Sequence, residues 1–115
     1  MGRLRKWLNW LPRRRWRIVA RVEAADEVPD RLPRRAVVVA GPRGDPHWLV
    51  FDCPCRGGHR VMLNLDNRRR PHWDVVQDEP LTVRPSVDDH TADRRCHFFV
   101  REGRIRWVPR HAEET

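Results

Sequence analysis

The sequence predicts a mainly β fold: a small single domain built on an antiparallel sheet or partly open barrel, with a short N-terminal helix and a zinc-binding site. Three observations predict it. Runs rich in Val, Ile, Leu and Phe recur at strand length, separated by Gly, Pro and Asp. Ten prolines demand many turns and edges. All three cysteines fall in two short segments, Phe51-Asp52-Cys53-Pro54-Cys55-Arg56-Gly57-Gly58-His59-Arg60 and Arg95-Cys96-His97-Phe98-Phe99-Val100, and each segment also holds a histidine. A chain of 115 residues supports one core, burying roughly two thirds of the surface its unfolded form exposes. Its 39% hydrophobic content, with six Trp against 35% charged residues, lies in the globular range.

Residues 1–15 read as an amphipathic helix followed by a basic segment. Leu4, Trp7, Leu8 and Leu11 follow helical spacing, and Pro12 ends the pattern. The short apolar stripe is expected to dock on the domain rather than on a membrane. Residues 16–115 read as a single zinc-stabilised β domain. Strands are expected at Ile18 to Val22, Ala36 to Ala40, His47 to Phe51, Arg60 to Leu65, His72 to Val76, Leu81 to Val87, His97 to Arg101 and Arg104 to Val108, with a loop from Asp26 to Pro33.

Parity sharpens the two hairpins, because alternate residues of a strand face opposite sides and opposed residues share a side. With a loop at Arg56-Gly57-Gly58, Cys55 is expected opposite His59, Cys53 opposite Val61 and Phe51 opposite Leu63. A turn at Glu102-Gly103 sets Val100 opposite Ile105 and Phe98 opposite Trp107. Cys96 then joins the inner set, while His97, Phe99 and Arg101 face outward with Arg104 and Arg106.

Cys53, Cys55, His59 and Cys96 form the self-consistent inner group, and three thiolates with an imidazole are the donors zinc takes in a tetrahedral shell. A Cys-x-Cys pair needs a bend to bring its sulfurs together, which Pro54 and Gly57-Gly58 provide. With four protein donors the metal is structural; with His59 standing off, an open position could hold a water for hydrolysis. The plainer reading, cysteines as small buried hydrophobes, also fits Cys96 alone.

Ser86 lies on the side of its strand opposite Leu81, Val83 and Val87, and His97 also faces outward. Such a pair could act as nucleophile and base, with Asp88 or Asp89 as an orienting carboxylate. On residue pattern alone, a serine after proline is more commonly a turn residue.

The balance of 24 basic to 16 acidic residues gives +8, and Lys6 is the only lysine. This field favours anionic partners. Nucleic acid is one, with Trp7, Trp10 and Trp16 as stacking groups; an acidic protein face is another, and a general use of Arg in place of Lys explains the same count. Three cysteines, two of them one residue apart, argue against a disulfide framework. The residues from Leu4 to Leu11 do not form the apolar core of a signal peptide, and no stretch reaches membrane-spanning length. A reducing cytoplasm is the expected location.

Taken in order, Cys53-Pro54-Cys55 with Gly57-Gly58-His59, Leu81-Thr82-Val83-Arg84-Pro85-Ser86-Val87, and Cys96-His97-Phe98-Phe99-Val100 onward to Trp107 resemble a family of small bacterial proteins encoded beside ubiquitin-like, activating-type and conjugating-type proteins. The resemblance covers Trp48 to Trp107. Its first block usually reads Cys-Pro-Cys-Gly-Cys-Gly, so Gly57 stands here for a third cysteine, leaving Cys53, Cys55, His59 and Cys96 as the set carried over. The resemblance implies a peptidase that processes or deconjugates a ubiquitin-like protein, with that protein and its conjugating enzymes as partners and Ser86 and His97 as the catalytic residues. Two other readings stand beside it: a non-catalytic zinc-stabilised binding module of that pathway, and a nucleic-acid-binding domain. A metallopeptidase is the alternative chemistry.

Overall fold

The computed structural model describes residues 14–91 and 94–109. The expected helix at residues 3–11 lies outside them. Among the described residues eight strands form: β1 (Arg17–Val22), β2 (Ala36–Ala40), β3 (Trp48–Asp52), β4 (Arg60–Asn64), β5 (Asp74–Asp78), β6 (Leu81–His90), β7 (Arg95–Arg101) and β8 (Arg104–Trp107). They make two four-stranded sheets, β1-β2-β3-β4 and β5-β6-β7-β8, so the mainly β expectation holds, with two sheets and no closed barrel.

One pairing departs from an all-antiparallel fold. β1 runs parallel to β2, from Arg17 opposite Ala36 to Val22 opposite Ala40. Parallel neighbours need a long crossover, and the stretch read from sequence as a loop supplies it, carrying a 3-10 turn at Ala25–Glu27. This crossover also covers β2. Every residue of β2 is buried: Val37 and Val39 face the main core, while Val38 and Ala40 pack with Val28 and Val50 in a second cluster, against which Ala25 and Leu32 lie. An unbroken apolar run is what a strand covered on both faces requires.

The main core lies between the sheets. Leu49, Phe51, Val61 and Leu63 come from the first, and Leu81, Val83, Val87, Phe98 and Val100 from the second. Edge-to-face rings bridge them, from Trp16 to Phe51 with centroids 5.6 Å apart, Phe51 to Phe98 at 6.4 Å, and Phe98 to Trp107 at 5.3 Å. Such offset geometry suits the ring quadrupoles. Backbone bonds join the sheets at their margins: Trp73 N–H donates to Asn64 O at 2.8 Å and Trp16 N–H to Gly103 O at 2.8 Å.

The last hairpin has the expected register, Val100 opposite Ile105 and Phe98 opposite Trp107. The first keeps its expected inner parity but is shifted by two residues, so none of its three expected pairs forms. Phe51 opposes Val61 rather than Leu63, and Leu49 opposes Leu63; Cys53 N–H donates to His59 O at 2.7 Å. Cys55 thus leaves the ladder and enters a wider loop, which Gly58 N–H closes onto Cys55 O at 3.1 Å with Gly58 at φ 58°.

Gly103 sits at the junction of both sheets with φ 75°. An added Cβ would lie 2.8 Å from the Arg15 Cβ, 3.0 Å from the Pro80 Cβ and 3.1 Å from Trp16 O. Gly103→Ala is therefore expected to cost about 2 kcal/mol, combining positive-φ strain with the clash. Urea unfolding of the two proteins checks this; equal midpoints would show that the junction relaxes freely.

Candidate functional site

Four side chains converge at one end of the core. Cys53 follows β3, Cys55 is in the loop, His59 precedes β4, and Cys96 arrives from β7 in the other sheet. Their donor atoms all lie within 4.8 Å of one another. The sequence-expected set is brought together complete. Cys53 and Cys96 are buried, and all three cysteines are free thiols. These residues could hold a metal ion.

The charges inside the cluster show what such an ion would relieve. Burial pushes the Cys53 thiol up strongly, and burial likewise raises Cys96. Burial acts the same way on Cys55, but the Gly58 amide, the Cys53 and Cys96 thiols and the Gly57 amide outweigh it and bring that thiol down to about 6. The cluster's own donors thus stabilise one negative sulfur. A second and third thiolate in the same space need a cation, and three sulfurs with one nitrogen are a donor set suited to a borderline-soft divalent metal.

His59 is oriented for such a role. Its Nε2 lies 2.6 Å from Asp89 Oδ2, and its Nδ1 lies 3.5 Å from Cys55 Sγ. A proton on Nε2 donated to the carboxylate leaves the Nδ1 lone pair facing the sulfurs, the carboxylate–histidine arrangement that fixes a ligand's tautomer. Asp89 is opposite Cys96 in the β6–β7 ladder. The sequence reading gave Asp89 as a possible partner of the outer histidine; strand alternation turns it inward to His59 instead.

On the other face of the second sheet, Ser86 Oγ lies 2.9 Å from His97 Nε2. A bulge in β6 between Val83 and Val87 makes this contact possible, since Val83 opposes Val100 whereas Val87 opposes Phe98. The extra residues, Pro85 among them, lie in the bulge, where a missing N–H costs the ladder nothing. Trp73 braces the segment, its Nε1–H donating to Ser86 O at 3.1 Å. Asp88 is directly opposite His97. Its carboxyl is held below the usual carboxylate range by the hydrogen bond from Arg95, helped by the charges of Arg95, His97 and His90. Arg95 grips it through Nε at 2.8 Å and Nη2 at 2.7 Å. The arrangement can relay a proton from a hydroxyl to an imidazole beside a fixed negative charge.

Two contributors escaped sequence reasoning. Trp73 lies in an Arg- and Pro-rich stretch with no pattern linking it to Ser86, and Arg95 gave no sign that it would clasp Asp88. The remaining described histidines make local pairs, His47 with Asp45, His72 with Asp74, and His90 with Asp88 at 3.2 Å.

Fold and site together define a mainly β domain that combines a cysteine–histidine cluster able to hold a metal ion with a hydrogen-bonded serine–histidine pair. The chain belongs to the BubE family, described as bacterial ubiquitination-like system serine protease, whose model matches residues 24–108. That span holds both residue groups and agrees with the resemblance read from the sequence motifs. No curated protein matches the chain, and no solved structure does. Among the described residues no helix is long and apolar enough to cross a membrane.

Adjacent positions on β7 should respond differently to mutation. Cys96 is 3% exposed and faces the core, so Cys96→Ser places a more polar group there and is expected to cost about 1–3 kcal/mol. His97→Gln on the half-buried outer face should cost less. Thermal melts of both variants make the comparison, and an equal or larger loss for His97→Gln would contradict the assigned faces.

Proposed function

We propose that this chain is a serine peptidase that hydrolyses the bond at the C-terminus of a ubiquitin-like protein, processing its precursor or releasing it from conjugates. The observation that carries the reading is the 2.9 Å contact of Ser86 Oγ with His97 Nε2, in a chain whose family is a protease of a bacterial ubiquitination-like system. The partners are the modifier and its conjugating enzymes. Free cysteines suit a reducing compartment such as the cytoplasm.

In this mechanism His97 Nε2 takes the Ser86 proton as Oγ attacks the carbonyl carbon. The same proton passes to the leaving amine when the C–N bond breaks, leaving an acyl ester on Ser86. Water, deprotonated by His97, then attacks the ester and restores the serine. The negative charge of Asp88, opposite His97, favours the imidazolium that forms in both steps.

Cys53, Cys55, His59 and Cys96 hold zinc in this reading, and residues 16–115 act as one zinc-stabilised domain. Zinc bound there supplies a staple between the two sheets, which a small core gains from. Four donors within 4.8 Å favour a closed structural site over an open one holding a hydrolytic water.

Ser86→Ala and His97→Ala are each expected to lower kcat/KM for cleavage of a modifier precursor by about a thousandfold or more, with the melting temperature nearly unchanged. Mass spectrometry of the released tail reads the cleavage. Wild-type rates in Ser86→Ala would rule out serine catalysis. Activity kept by that variant but lost on chelation, with the fold intact, would point to metal-activated water. A wild-type protein that binds the modifier but cleaves nothing would leave a binding module.

Purified protein should carry about one equivalent of zinc, and chelation should lower its melting temperature sharply. Asp89→Asn is expected to weaken zinc binding about tenfold while leaving the donors in place. Elemental analysis and competition with a chromophoric chelator test both; metal-free protein with wild-type stability would remove the staple.

A further inference from the structure

The outer face of the second sheet carries more positive charge than the proposed hydrolysis uses. Beside Ser86 runs a groove of about 870 Å³, lined by Arg84, Arg101, Arg104 and Arg106 against, among the described residues, a single carboxylate, Glu102. All four arginines are exposed. Among the described residues none of them forms an ion pair. Arg95, towards the other end of the same face, is clasped by Asp88 at 2.7 Å.

This arrangement costs the free fold something. Arg101 is directly opposite Arg104 in the ladder, and like charges in that position repel. The Arg101 guanidinium lies 4.4 Å from the centre of the Phe99 ring, a cation–π contact that steadies the side chain without neutralising it. An anion in the groove would remove the repulsion and gain charge-assisted hydrogen bonds from several guanidinium forks at once.

We infer that the groove receives Asp and Glu side chains of the peptide that Ser86 attacks, so that the substrate class is an acidic peptide segment. The inference rests on the peptidase reading above. Peptide is favoured over nucleic acid on two grounds. Among the described residues Phe99 is the only aromatic lining the groove, and Arg101 already engages its ring, whereas single-stranded nucleic acid is held by open stacking platforms. The groove also includes Ser86 itself, so a peptide held there lies beside the residue that attacks in the proposed reaction.

The test uses full-length Ser86→Ala protein, so that binding is read without turnover. Its probes are a fluorescent peptide with a run of glutamates, the same peptide with glutamines, and a single-stranded DNA of equal length, followed by anisotropy. The glutamate peptide should bind more tightly than the glutamine one, and the difference should shrink as salt rises. Arg104→Gln and Arg106→Gln should each weaken the glutamate peptide about threefold, in the range of an exposed ion pair; Arg104→Lys should keep most of the preference, and melting curves should confirm folding.

Equal affinity for the two peptides overturns the inference, as does DNA binding that exceeds the glutamate peptide and is lost in the same variants. Cleavage by the wild type distinguishes the two levels. Turnover without any glutamate preference removes the groove assignment alone. A glutamate preference in a wild-type protein that cleaves nothing supports the groove and removes the peptidase reading.

Discussion

Alternation along an extended backbone is the constraint on which both residue groups depend. Successive side chains of β7 point to opposite faces, so Cys96 enters the core and His97, its neighbour, emerges on the other side. The same rule sorts two adjacent aspartates of β6. Asp88 is opposite His97 and shares its face, while Asp89 is opposite Cys96 and turns inward to His59. One pair of strands thus supplies an imidazole and its nearby carboxylate to one face, and a sulfur and a histidine's partner to the other. A slip of one residue would exchange every one of these roles.

The β6 bulge adds what alternation alone does not provide. Continuing the register of Val83 with Val100 would bring Ser86 opposite His97, while the register beyond the bulge puts Asp88 there. Extra residues within the bulge leave His97 beside both, with the hydroxyl at hydrogen-bond distance and the carboxylate across the ladder. Trp73 fixes the bulged backbone from the neighbouring chain segment. A bulge that re-aims a side chain next to a reactive group is a common use of this irregularity.

Much of this was legible in the sequence because parity is a local property. The inward face of Cys96 and the outward faces of Ser86 and His97 followed from counting along strands, and the register of the last hairpin followed from Glu102-Gly103. What could not be counted was set by tertiary contacts. The first hairpin pairs Phe51 with Val61 because Cys55 leaves the ladder to meet the other sulfurs, a demand that Cys96 makes from the other sheet. The parallel β1–β2 pair was hidden because its crossover has loop composition, although the unbroken Ala36 to Ala40 run carried the signal of a strand covered on both faces. Trp73 reaches Ser86 across a distance in sequence that no periodicity measures.

The two groups also differ in how much water their chemistry tolerates. Thiolates crowded together must be shielded if a cation is to hold them against competing water and protons, and Cys53 and Cys96 are accordingly buried between the sheets. With Gly57 where the resembling family has another cysteine, His59 Nδ1, 3.5 Å from Cys55 Sγ, completes a set of four donors without adding a further negative charge to that buried space. In the serine-peptidase reading proposed above, the serine–histidine pair has the opposite need: an acyl group on Ser86 would have to meet water to be released, and a polypeptide end would have to reach the hydroxyl. Ser86 and His97 are half-buried on an open face, held by Trp73 and the ladder rather than by enclosure. The two groups can meet at adjacent residues of one strand, Cys96 and His97, because the sheet itself separates the faces to which those two side chains point.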